Sequence, residues 1–230
     1  MEFNKTLTCA HCSKESPVFC FLNERQIDHI ERNRIEVVFN PGETIMKGGT
    51  PKTHVMSFYK GLAKVSLEGK GGRSYILGFI RPQTFFSGPG FFFDEKHRLT
   101  ITAIEECKLC LIEKDVFYEM MEENFKMAFA FMENSNRFIL NLIHKMETFL
   151  IKHHHGRVAD ALLHLSKDIY HKNPFTMTIS RKDLADLTAL PKESVSRILH
   201  EFIKDQIITM ENNEVHILKE DTLKHISHKG

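Results

Sequence analysis

The spacing of apolar residues changes once along this chain, and that change limits the possible folds more than any single motif. Up to about Glu113 apolar residues come in short or alternating runs, among them Ile35 to Phe39, Val55 to Tyr59 and Tyr75 to Ile80. Gly and Pro punctuate those runs at Pro41-Gly42, Gly48-Gly49, Gly61, Gly69 to Gly72 and Gly88-Pro89-Gly90. Strand reversals demand positive φ, which glycine adopts without a Cβ penalty. Many short strands at near-regular spacing predict an antiparallel barrel or roll.

From about Asp115 to Lys152 the period becomes helical. Met132, Ser135, Ile139, Leu142, Met146 and Phe149 recur at alternating steps of three and four, the seam by which a helix meets a partner helix. Phe131, Phe138, Ile143 and Leu150 supply a second apolar face. One face is expected to pack on the roll and the other to self-associate, which makes this a dimerisation helix. His153-His154-His155-Gly156 then interrupts the run. Consecutive helical residues point about 100° apart and do not converge on one ion, so the three histidines read as a solvated hinge.

The last stretch carries the most specific pattern. Ser180-Arg181-Lys182-Asp183 is a capping box that opens a helix with Leu184, Ala185 and Leu187 at core spacing. Thr188-Ala189-Leu190-Pro191 breaks it, and Pro191 suits the start of a second helix whose buried side is Val195, Ile198, Leu199 and Phe202. Ile207 to Met210 and Val215 to Leu218 read as the strands of a hairpin. Two short helices, a tight turn and a hairpin predict a winged helix-turn-helix that reads double-stranded DNA. The second helix exposes Lys192, Glu193, Ser196 and Arg197 near its N-terminus, and Ser180 and Arg181 open the first. Arg197 suits guanine O6 and N7, Glu193 suits cytosine N4, and Ser196 is short enough to approach a thymine edge.

The expected architecture is therefore α+β, with an N-terminal double-stranded β-roll, a long dimerisation helix and a C-terminal winged helix-turn-helix. The expected boundaries are a cysteine-containing segment over 1–33, a roll over 34–114, helix and hinge over 115–155, and a DNA-binding domain over 156–230. Net charge is only +1, from 31 Lys+Arg against 30 Asp+Glu. That excludes a polyanion binder held by bulk charge but leaves a local DNA surface open. No run approaches the roughly 20 apolar residues that span a bilayer, and no secretory signal is visible, so the expected compartment is the cytoplasm.

This order of elements resembles the CRP/FNR family of bacterial transcription regulators. Pro41-Gly42-Glu43-Thr44-Ile45 and Gly61-Leu62-Ala63-Lys64-Val65 resemble the turns of the family's roll, and Glu193-Ser194-Val195-Ser196-Arg197 resembles the recognition helix of its FNR branch. The resemblance implies a homodimer on an inverted repeat with TTGA-type half-sites, and RNA polymerase as a further partner. Family members that bind cyclic AMP use Gly-Glu for the ribose and Arg followed by Ser or Thr for the phosphate. Here Pro89 stands where the carboxylate belongs, and Leu99 follows Arg98. That implies a lost cyclic AMP site, with Phe91-Phe92-Phe93 as replacement volume and Arg98 left for another anionic ligand.

FNR proteins ligate a [4Fe-4S] cluster with three N-terminal cysteines and one from the roll. Cys9, Cys12 and Cys20 resemble the trio and Cys110 the fourth ligand, although seven residues separate Cys12 from Cys20 and Cys107 adds another thiol. Four thiolates suit iron–sulfur or tetrahedral zinc chemistry. Alternatively, Cys110 is a small core residue, Cys9 and Cys12 are a redox pair, or a small ligand acts through the degenerate pocket. A cupin-like metalloenzyme is disfavoured because the strand-region histidines, His54 and His97, lack paired spacing.

Overall fold

The computed structural model describes Cys9 and residues 16–229; Cys12 lies outside the described residues. The chain divides into two compact units, Met1–Leu67 with Phe79–Asn141 and Glu68–Gly78 with Leu142–Gly230. No helix among the described residues is long and apolar enough to cross a membrane.

The first unit holds most of the roll. The strands of the roll are β1 (Arg34–Phe39), β2 (Thr44–Met46), β3 (His54–Lys60), β4 (Ala63–Glu68), β5 (Ser74–Ile80), β6 (Phe85–Phe86), β7 (Thr100–Ala103) and β8 (Cys107–Glu113), with most of β5 grouped in the second unit. They form two four-stranded sheets of order β1-β8-β3-β6 and β2-β7-β4-β5. The β8 strand is central to the first sheet, pairing antiparallel with both β1 and β3. Gly61 turns the chain from β3 to β4 at φ +90°, and a Cβ there would meet the Glu106 carbonyl oxygen at 2.2 Å. Only glycine fits such a reversal without moving the backbone.

A short helix precedes the roll and two follow it. Helix α1 (Glu24–Arg32) opens on an Asn23–Gln26 capping box, which the periodicity of the sequence did not expose. The single helical stretch expected over 115–152 is instead two helices, α2 (Lys114–Glu123) and α3 (Phe125–Ile151). Asn124 makes the break. It leaves the helical region at φ −134°, while its amide donates to the Phe21 carbonyl at 2.8 Å and to Gln26 Oε1 at 3.0 Å. Its Oδ1 accepts from the Met127 N–H and so caps α3. Beneath these helices Phe19, Phe85, Phe91, Phe117 and Phe131 share one core with Ile30, Val55, Ile112 and Met127. Ring centroids 4.9–6.0 Å apart place the five phenylalanines in mostly edge-to-face contact.

The inward face of α3 within this unit is thus Met127, Ala130 and Phe131, with Phe138 edge-on to Phe86. Ile143 and Leu150, grouped with that face from their spacing, are exposed instead. An exposed apolar ridge runs along the helix through Phe125, Phe129, Met132, Ile139, Ile143, Met146 and Leu150.

The second unit holds α4 (His154–His164), β9 (Phe175–Thr176), α5 (Arg181–Thr188), α6 (Lys192–Lys204), β10 (Ile208–Glu211), β11 (Glu214–Ile217) and α7 (Glu220–Lys229). Beyond the expected hairpin it contains a third strand, giving a sheet of order β10-β11-β9, and a C-terminal helix. Asn212 and Asn213 turn the hairpin with positive φ at both positions, the two-residue geometry that Asn tolerates well. His153 forms the N-terminal boundary of α4, and the three histidines stay exposed. Arg157 reaches back from α4 to the end of α3, donating through Nε to the Lys152 carbonyl and through Nη2 to the Phe149 carbonyl. Lys152 in turn bonds Asp160 at 2.5 Å and Ser227 at 3.1 Å, so α3, α4 and α7 meet in one clasp.

Candidate nucleic-acid interface

The capping box at Ser180 is complete. Its hydroxyl accepts from the Asp183 N–H at 3.0 Å while its own N–H donates to Asp183 Oδ2 at 2.9 Å. Helix α5 ends where Ala189 turns left-handed at φ +55°, and Pro191 then sits at the N-cap of α6. Three residues therefore join the two helices, the connection a helix-turn-helix requires. Val195, Ile198, Leu199 and Phe202 are all buried, which fixes the rotation of α6 about its axis. On its other side Lys192, Glu193 and Arg197 are exposed and Ser196 is half-buried. Ser180 is exposed one helix away.

Arg181 differs from the other candidates. Its guanidinium turns onto the wing, with Nη2 2.8 Å from Met210 Sδ, and its Nη1 is buried without a hydrogen-bond partner. Burial accordingly lowers its affinity for protons. In this position it braces the wing against the first helix rather than facing outward.

Sequence spacing did not expose the partner of Arg197. Glu201 lies one turn further along α6, with Oε1 3.9 Å from Arg197 Nε. Its other oxygen is 2.6 Å from Nε2 of His155, a member of the histidine run. The His155–Glu201 pairing joins residues 46 apart in the chain, and the i, i+4 spacing of Arg197 and Glu201 is the one signal that could have pointed to Glu201.

In the roll, the stretch corresponding to a cyclic-nucleotide cassette is closed on itself. Lys52, almost fully buried, donates to the Pro89 carbonyl at 2.8 Å, and Arg98 Nε bonds Asp94 Oδ2 at 2.5 Å. His97 is buried, and its Nδ1 has no hydrogen-bond partner. Burial, reinforced by the nearby Lys52 ammonium, pushes its imidazole down to about 4. Of the three phenylalanines expected to fill vacated space only Phe91 does so; Phe92 is half exposed and Phe93 is 85% exposed.

The cysteines divide. Cys9 and Cys110 are buried and line one narrow cavity with Phe19, Ile30, Arg34, Ser57, Tyr59 and Ile112. Arg34 donates through Nη1 to Cys110 Sγ at 2.9 Å and through Nη2 to Glu31 Oε1 at 3.2 Å. Tyr59 donates to Glu36, and the Cys9 N–H donates to Glu31 at 2.6 Å. Burial pushes the Cys9 thiol up to about 12 and the Cys107 thiol up to about 11. Cys20 is exposed, its Sγ 3.8 Å from the Pro17 carbonyl. Among the described residues no group of three or more His, Cys, Asp or Glu is placed to hold a metal ion. Of the described thiols, Cys9 and Cys110 converge on that cavity, and Cys110 accepts from Arg34.

A roll joined to a long helix, and a winged helix-turn-helix with a polar reading face, define a DNA-binding transcription regulator. Comparison with known proteins agrees. Residues 36–124 match the cyclic nucleotide-binding domain and residues 156–226 the Crp-like helix-turn-helix domain. The chain is 25% identical to the transcriptional regulatory protein btr of Bordetella pertussis, covering 94% of this chain and 93% of that one. It is 22% identical to the transcriptional activator protein FnrL of Cereibacter sphaeroides, covering 96% and 87%. In fold it is similar to FixK2 from Bradyrhizobium japonicum, with a TM-score of 0.76 at 20% identity over 84% of this chain and 96% of that one. The chain belongs to the CRP/FNR family of transcription regulators. Its relatives regulate transcription and are not enzymes, which sets the cupin-like alternative aside.

Proposed function

We propose that the protein acts as a homodimer on an inverted repeat with TTGA-type half-sites. Glu193, Ser196 and Arg197 read base edges, while Ser180 and Lys192 engage flanking phosphates. The single observation that carries this reading is the division of α6 into a buried apolar face and an exposed polar one that begins at its N-terminus, just after Pro191. Such a helix lays its first turns in the major groove. Arg181 braces the wing and contributes indirectly.

The ridge on α3 supports the dimer. Met132, Ile139 and Met146 of the expected seam are exposed on it, with Ser135, Leu142 and Phe149 half-buried along its flank. Burying one such large side chain is worth about 1.5–3 kcal/mol. Pairing also presents two reading helices at once, so the second half-site is bound at high effective concentration. RNA polymerase is proposed as a further partner on the family resemblance.

The closed cassette supports a regulator that does not use cyclic AMP, because Pro89 offers no carboxylate and Lys52 and Arg98 already have partners. Another small ligand remains the second reading for the roll, favoured by buried Lys52 and His97. An iron–sulfur cluster would need Cys12 and Cys20 to join Cys9 and Cys110 and Arg34 to release Cys110. Anaerobic purification with iron and sulfide analysis decides between them, and stoichiometric iron and sulfide would establish the cluster.

DNA binding is tested by fluorescence anisotropy on palindromic and scrambled duplexes. Wild type is expected to prefer the TTGA palindrome, and Arg197→Ala to lose that preference. Unchanged preference in the variant would overturn the assignment.

A further inference from the structure

We propose that Glu201, anchored by His155, is a positioning residue that sets Arg197 for reading guanine. The inference rests on Arg197 being a base-reading residue and adds what orients it.

Helix stability does not account for the arrangement. Exposed ion pairs contribute little, and an Arg placed N-terminal to Glu is the less favourable order along a helix. What distinguishes Glu201 is that both its oxygens are engaged. Oε1 faces Arg197 Nε at 3.9 Å and Oε2 meets His155 Nε2 at 2.6 Å. His155 comes from a different helix, and its ring lies against buried Phe202, centroids 6.1 Å apart. The carboxylate is therefore met from behind by a ring that, although half exposed, rests edge-on against Phe202. The hydrogen bond from His155, aided by the charge of Arg197, keeps Glu201 below the usual carboxylate range and so in its anionic form.

The consequence for recognition lies in guanidinium geometry. Arginine offers five N–H donors in a planar fork, and it can address guanine either end-on, with both Nη groups, or side-on, with Nε and one Nη. A carboxylate on the Nε side leaves the Nη pair facing outward and favours the end-on pose. Less side-chain freedom then remains to be lost when O6 and N7 are engaged. The opposite role is also definite: a carboxylate that competed with DNA for Arg197 would weaken binding. The two differ in sign.

The test uses the full-length chain and anisotropy on two palindromic duplexes, one with guanine in each TTGA half-site and one with adenine in its place. Glu201→Ala is expected to weaken binding to the guanine duplex about 5- to 10-fold and to change the adenine duplex less than about twofold, less than loss of a whole bidentate pair. His155→Ala should shift the ratio the same way, and His155→Gln, which keeps a donor for Glu201, should restore it. Glu201→Ala should add nothing in an Arg197→Ala background. Equal weakening on both duplexes, no change, or tighter guanine binding in Glu201→Ala would overturn the positioning role. If Arg197→Ala itself keeps its guanine preference, the base-reading assignment fails instead, and the two failures are distinguishable. Thermal melting verifies that each variant is folded, and Glu201→Gln, of the same length without the charge, replaces Glu201→Ala if needed.

Discussion

Acidification should test the closed cassette of the roll through His97. The imidazole is buried and held near 4, against 6.5 in an exposed chain. Below pH 6.5 the unfolded chain takes up a proton that the folded protein refuses until about pH 4. Stability is therefore lost as pH falls through that window and is fully present above it. The difference of 6.5 − 4, at about 1.4 kcal/mol per unit, sets a ceiling of about 3 kcal/mol, most of it expressed by pH 4.5. Urea unfolding at pH 7.5 and 4.5 should show wild type losing about 2–3 kcal/mol more than His97→Gln, since titration of every other group is common to both proteins. Equal losses would mean that His97 is solvated or paired, and that the cassette is open.

Gly61→Ala should lower stability by at least about 2 kcal/mol in thermal melts, because a Cβ at φ +90° meets the Glu106 carbonyl and L-residues disfavour that backbone. Ser180→Ala should cost about 1 kcal/mol through loss of the cap, measured by urea unfolding, with weaker DNA binding in the same sample. At Asp160, burial alone would raise the carboxyl, but hydrogen bonds from Lys152 and Ser227 and the Lys145 charge outweigh it and hold it below the usual range. Asp160→Asn should therefore destabilise the clasp at neutral pH by about 1–3 kcal/mol. The gap to wild type, read by urea unfolding, should narrow as pH falls below about 4 and Asp160 takes up its proton.

Features set by neighbours within a few residues were legible from the amino acids alone. The Ser180–Asp183 box, the break before Pro191, the buried face of α6 and the asparagine turn of the wing all rest on contacts three or four positions apart or on one residue's own φ. Residue order therefore suffices to specify them, and with them the class of regulator. Tertiary structure alone decided the rest. Asn124 divides the long helix because its amide finds Phe21 and Gln26, about a hundred residues earlier. Its apolar neighbours keep helical spacing on both sides, so periodicity gives no sign of the break. Arg181 turns inward because Met210 lies opposite, and Cys110 pairs with Arg34 across neighbouring strands. His155 acquires a role only where folding brings Glu201 to it. Local spacing chooses which helix reads DNA, whereas long-range packing chooses which of its side chains are free to do so and what holds them.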